Sequence, residues 1–177
     1  MNHRPMRLLQ TFVVAAVALF ATMVFLGNIL DYSSNEAFVK HVLSMDTTFE
    51  GNSLMWRAIT NEGLQTAAYI GIIVVEFAIA VLAWIAAVRM IMKRKASSLD
   101  FSKAKTTGYY AFGLAILLWF VGFICFGSEW FAMWQSGIWN GKQTAMDIVE
   151  VVGIFLIFFS LPEFLPNKDE GVLKEDK

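Results

Sequence analysis

The chain has 177 residues, 57% of them hydrophobic and only 16% charged, where soluble domains average about 45–50% apolar and about 25% charged. With a mean hydropathy of +0.56 it reads as an integral membrane protein, not an ordinary soluble domain. Lys and Arg number 14 against 15 Asp and Glu, a net charge of −1 that excludes a nucleic-acid binder working through a basic surface. The single cysteine, Cys125, excludes an intrachain disulfide framework and a cysteine-cluster metal site.

A bilayer core of roughly 30 Å takes about 20 apolar helical residues. Residues 8–30 supply 23 without one charge and end at Asp31. This run exceeds the apolar core of a cleaved signal, about 7–15 residues, and no small-x-small site stands before Asp31, so it is expected to be an uncleaved signal-anchor. Residues 31–63 make a loop of 33 residues, too long to be structureless in a compact protein. Within it Phe38, Val42 and Met45 share one helical face, with Val39 and Leu43 beside them and Lys40, His41 and Ser44 opposite. After the turn-like residues 46–52, Ser53 can N-cap a second short helix presenting Leu54, Met55, Ala58 and Ile59. Two amphipathic helices lying over the membrane face are the expectation.

Residues 64–88 form a second span of 25 residues with one charge, Glu76, bounded by Arg89. A basic hairpin leads to the third span, residues 109–128, which runs uncharged from the Tyr109-Tyr110 pair to Glu129. The loop 129–144 carries Trp130, Trp134 and Trp139, half of the six tryptophans. An interfacial aromatic belt is the ordinary explanation for them, and an aromatic cage for a cationic or quinone-like ligand is the sharper one. Residues 145–161 are a weaker fourth span, with Asp147 and Glu150 at its start and Pro162 behind it. The fold expected is thus an all-α, four-span transmembrane helix bundle with short extracytoplasmic amphipathic helices forming a cap. Residues 1–166 make up this membrane domain and 167–177 a charged cytoplasmic tail.

Lys and Arg set the orientation. Eleven of the 14 fall in the N-terminus, the basic hairpin and the tail, and only Lys40, Arg57 and Lys142 fall in the two other loops. Both termini are therefore expected in the cytoplasm and those two loops outside.

Three strings in and beside these loops are distinctive: Asn28-x-x-Asp31-Tyr32-x-x-Asn35, Phe38-Val39-x-His41-Val42-Leu43-Ser44-Met45-Asp46-Thr47-Thr48-Phe49, and Glu129-Trp130-Phe131-x-Met133-Trp134-Gln135-Ser136-x-x-Trp139-Asn140-Gly141. On them, and over nearly all of its length before the tail, the chain resembles a bacterial family of small predicted integral membrane proteins catalogued as domain of unknown function 2165. The resemblance implies a four-span protein of the bacterial inner (cytoplasmic) membrane. It implies no activity.

Chemistry has few places to sit. Glu76 lies roughly 16 Å from the outer end of its span, near the midplane, at about 1.5 Å per residue. An ionisable group at that depth is a functional candidate. Glu76, Ala80, Ala83 and Ala87 form one stripe of small residues, which turns Glu76 toward the bundle. Similar stripes lead to Asn28 on the first span, through Gly108, Ala111, Ala115, Leu118, Gly122 and Cys125 to Glu129 on the third, and from Glu150 through Gly153, Ile157 and Ser160 on the fourth. Facing inward together, Asn28, Glu129 and Glu150 would ring an outward-open pocket above Glu76. Such a pocket would hold a proton, a cation or an amine; in the plainer reading Glu76 stays protonated or pairs with Arg57 or Lys142 and only fixes helix packing. His41, a further candidate site residue, could bind a metal outside with Asp46 and Glu50, although their spacing matches no standard site, and Cys125 lies in an apolar span beside no base. No catalytic, cofactor or metal site is expected. The first expectation of function is a non-enzymatic accessory or partner-binding subunit of a larger membrane complex, using the Trp-rich outer face; a small proton, cation or amine transporter or binder using Glu76, expected as a homo-oligomer, is the alternative.

Overall fold

Every long apolar run becomes a helix in the computed structural model of the chain, which describes residues 4–162. In chain order these are α1 (Arg4–Leu30), α2 (Tyr32–Ser44), α3 (Glu62–Lys93), α4 (Ser98–Ala104), α5 (Thr106–Ile116), a π-helical segment (Leu117–Trp130) and α6 (Lys142–Ser160), with single 3-10 turns at Met55–Arg57 and Met133–Gln135. No strand occurs among the described residues. Four stretches are long and apolar enough to cross a bilayer: Pro5–Leu30, Glu62–Lys93, Ser98–Trp130 and Lys142–Ser160. The charged tail expected at 167–177 lies outside the described residues. α1 packs on α3, α3 on α5, α5 and the π-helical segment on α6, and α6 returns to α1, so the four spans close a ring.

Local chemistry sets where the spans begin and end. At the start of α3, Asn61 accepts a hydrogen bond from the Leu64 amide and Glu62 sits in the first turn, where an acid complements the helix dipole. At its far end, Arg7 of α1 donates to the carbonyls of Arg94 (3.1 Å) and Ala96 (2.7 Å), satisfying groups the helix leaves open. Ser97 then caps α4 by accepting from the Asp100 amide. Arg7 is buried, and it ties the start of α1 to the turn between α3 and α4.

Small residues let the helices approach. Ala18 and Ala21 of α1, Ala80, Ala83 and Ala87 of α3, and Ala111 and Ala115 of α5 are all buried. The tightest approach is at Gly108, where a Cβ would stand 2.6 Å from Phe159 Cζ. On α6 the buried stripe is Ala145, Val152 and Phe159.

At the other end of the bundle, Val42 and Met45 join Phe131, Ala132 and Met133 in a second apolar cluster, with Phe38, Leu43, Leu54, Ala58, Ile59 and Trp139 around it. The second loop helix expected from Ser53 onward is only the turn Met55–Arg57. Asn52, not Ser53, accepts from the Leu54 amide, and Ala58 leaves helical geometry with ψ 135°. The Ile59 amide then donates to Leu43 O at 2.8 Å, a backbone bond across the loop that a continued helix could not make.

Candidate functional site

Glu76 sits in the middle of α3 and is 2% exposed. Two turns earlier on the same face is Tyr69, and opposite both is Asn28, in the last turn of α1. Asn28 Nδ2 donates to Glu76 Oε2 at 2.7 Å. The Tyr69 hydroxyl donates to the Asn28 backbone carbonyl at 2.7 Å. Asn28 is thus held at its backbone by Tyr69 while its amide holds one carboxyl oxygen. Glu76 Oε1 takes no hydrogen bond from the described residues.

These groups stand on the wall of a cavity of about 660 Å³. Asp31, Asn35, Asn140 and Thr144 supply the rest of its polar lining, and Phe20, Val24, Ile72, Trp119 and Phe123 are among its apolar walls. Among the described residues, the only charged side chains lining it are Glu76 and Asp31, and no Lys, Arg or His does. Asp31, exposed at the end of α1, marks the loop-bearing side of the space. A chamber of this composition favours a positively charged or hydrogen-bond-donating occupant.

Two acids expected in the ring stand elsewhere. Glu129 is half-exposed and pairs with Lys142 at 2.8 Å, outside the cavity. The third-span stripe holds through Leu118 but Gly122 and Cys125 are exposed. The cause is the π-helical segment: i→i+5 bonding turns the chain less per residue than an α-helix, so a stripe read at α-helical spacing rotates off the core. Glu150 is exposed as well, because α6 buries the Ala145, Val152, Phe159 face and turns Glu150, Ile157 and Ser160 away from the bundle. Lys142 is held by Glu129, and Arg57 donates to Trp130 O at 3.2 Å. Asn28 is the group hydrogen-bonded to Glu76, in the place where sequence reasoning put Arg57 or Lys142.

The three loop tryptophans pin the two loops to each other. The Arg57 guanidinium lies 4.4 Å from the Trp130 ring and 5.3 Å from Trp56, so the cation in this aromatic pair is the chain's own. Trp134 meets Phe49 edge-on at 5.7 Å. Trp139 stacks on His41 at 4.6 Å, and His41 Nδ1 lies 2.7 Å from Asp46 Oδ2. Gln135 Oε1 accepts from the Phe49 amide and from Asn52 Nδ2, and Thr47 donates to Ser136 Oγ. Among the described residues no three His, Cys, Asp or Glu side chains are grouped to hold a metal ion.

Sequence reasoning missed Tyr69, Asn35, Asn140 and Thr144. The seven-residue interval from Tyr69 to Glu76 was a usable signal, since it places both on one face of α3; Asn35 and Asn140 stood in the distinctive strings without a role, and Thr144 carried no signal.

Four apolar helices closed around a buried carboxyl define a small multi-pass integral membrane protein. The model of the predicted small integral membrane protein family, domain of unknown function 2165, matches residues 6–162, and the chain belongs to that family. No curated protein and no solved structure matches it.

Proposed function

We propose that the chain is a non-enzymatic protein of the bacterial inner membrane, with both termini in the cytoplasm, that binds a small cation or amine from the outer side in the Glu76 chamber. The observation behind this reading is a buried carboxyl group, bonded through one oxygen only, on the wall of a cavity whose charged lining is entirely acidic. A charged residue at mid-span costs roughly 2.5–3.5 kcal/mol on insertion scales. Packing alone would be served by alanine, which the same stripe carries at Ala80, Ala83 and Ala87. In this reading Glu76 supplies the negative charge and Asn28 orients it. Tyr69 holds Asn28 in place, and Asp31 raises the local concentration of cations at the rim.

The accessory-subunit reading relied on the Trp-rich outer face. Trp130, Trp134 and Trp139 each have an aromatic or cationic partner within the chain, so no observation of its own favours that reading.

Methylammonium binding to the purified full chain in nanodiscs tests the proposal. Wild type should bind saturably. Glu76→Gln keeps the shape and a hydrogen-bonding carbonyl but loses the charge. It should melt at the wild-type temperature and bind about tenfold or more weakly, the loss expected for a charge-assisted hydrogen bond of roughly 1.5–3 kcal/mol. Equal binding by the two proteins would sink the proposal and leave Glu76 as a packing group.

A further inference from the structure

The Glu76 chamber has an apolar annex. α1 and α6 are fastened at one end, where Gln10 Nε2 donates to carbonyls in the last turn of α6, Phe158 O and Phe159 O at 3.3 Å, and to Leu161 O just beyond it at 3.0 Å. Farther along, a second space of about 410 Å³ opens between the two helices, walled by Ala16, Val17, Val151, Val152 and Phe155. Phe20, Thr144 and Ile148 line both this groove and the chamber, so the two spaces adjoin. The one charged group in the groove is another acid, Asp147, which accepts from Gln143 at 2.8 Å.

We infer that the ligand of this protein is a cationic amphiphile, with an ammonium head in the Glu76 chamber and a single alkyl chain in the groove between α1 and α6. The inference rests on the proposed binding of cations at Glu76 and names the class of cation. Head and tail spaces follow from the same walls: carboxylates at one end, aliphatic and aromatic side chains at the other. From Thr144 to Phe155 the groove follows α6 for about 16 Å at roughly 1.5 Å per residue, which suits a chain of the dodecyl class. Among the described residues, neither space has a Lys, Arg or His in its lining. A phospholipid headgroup would bring its phosphate against Glu76 and Asp31 with no cation to receive it, and like charges at short range in a low dielectric repel strongly. The occupant is therefore a phosphate-free amine or quaternary ammonium with one chain, not a membrane phospholipid.

The test uses the full chain in nanodiscs of neutral lipid, with binding taken as the excess over protein-free discs. The probes are methyl-, hexyl- and dodecylammonium, with dodecylphosphocholine as a zwitterionic competitor. Excess binding by wild type should rise along the alkyl series, and dodecylphosphocholine should not displace dodecylammonium. Ala16→Phe and Val151→Phe fill the groove from α1 and from α6 without touching the chamber. Each should leave methylammonium binding unchanged and reduce excess dodecylammonium binding tenfold or more. Two variants from opposite walls are used so that one that fails to fold leaves the other to decide. If methylammonium binding depends on Glu76 while dodecylammonium ignores both groove variants, or if dodecylphosphocholine competes equally, the amphiphile inference is overturned and cation binding stands. Should methylammonium binding be indifferent to Glu76→Gln, cation binding falls and the inference with it.

Discussion

Glu36 and Thr66 show how single side chains join the loop helix to a span. The Thr66 hydroxyl, in the first turns of α3, donates to Glu36 Oε1 of α2 at 2.8 Å, and Lys40 lies 3.3 Å from Oε2. The Thr66 bond, with Lys40 as a further cause, holds the Glu36 carboxyl below the usual carboxylate range. A carboxyl whose value is lower in the folded chain adds stability above its unfolded value, and that stability is lost as pH falls through the folded value. Wild type should therefore melt higher than Thr66→Val at neutral pH, and the two should converge on acidification through the carboxylate range. Melting curves of the pair over that range check this; a gap that persists at the acid end would mean that Thr66 acts by packing, not through the Glu36 charge. Asn28 and Glu76 play a related part deeper in the fold, and they were the legible part of the site. A lone carboxylate and a lone amide in apolar runs stand out because burying either without a partner is costly. Asp31 was legible only as the end of a span, because nothing local shows that a helix end borders a cavity.

Helix faces decide what else could be read from the sequence. Four spans follow from apolar length alone, and the buried face of α2 follows from its 3.6-residue periodicity. The turn at Met55–Arg57 does not, because the Ile59–Leu43 backbone bond just beyond it reaches back to α2. Nor does the position of Glu129, since i→i+5 bonding beyond Leu117 leaves no mark in residue composition. Where the α-helical reading holds, it makes a sharp prediction. Gly108 faces Phe159, which is fully buried between Tyr109 and Phe112, with ring centroids 5.0 Å and 5.2 Å away. A larger side chain at Gly108 must displace that ring, so Gly108→Val should destabilise by about 1–3 kcal/mol, the usual cost of overpacking. Gly113, five residues on, has nothing within 4 Å of its would-be Cβ. Gly113→Ala should be neutral or stabilising by roughly 0.5–1 kcal/mol, since alanine loses less backbone entropy in a helix. Similar melting temperatures for Gly108→Val and wild type would show that α5 and α6 are not packed as closely as this glycine implies.

Across the whole molecule, the fold gathers most of the described basic side chains at one end. The start of α1, the end of α3, and α4 lie at one end, and Arg7 binds the α3–α4 turn directly. Arg89, Lys93, Arg94, Lys95, Lys103 and Lys105 lie in or beside the same turn in sequence, so these basic side chains concentrate opposite the end where Asp31 borders the chamber. In the proposed orientation, which follows the positive-inside rule, that basic end faces the cytoplasm and the chamber opens outward. The orientation can be read with single cysteines at Leu99 and Ile138, both exposed and at opposite ends, in a Cys125→Ser background. A membrane-impermeant maleimide should label Ile138→Cys in intact cells and Leu99→Cys only after permeabilisation. The opposite pattern would turn the chamber toward the cytoplasm, and any cation bound at Glu76 would then be drawn from the cell interior. Because the basic cluster is spread over α1, α3, α4 and the turn between them, no single charge should control the outcome. Replacing Lys95 alone by Gln should leave the labelling pattern unchanged, whereas neutralising Arg89, Lys93, Arg94 and Lys95 together should produce a mixed population labelled at both positions.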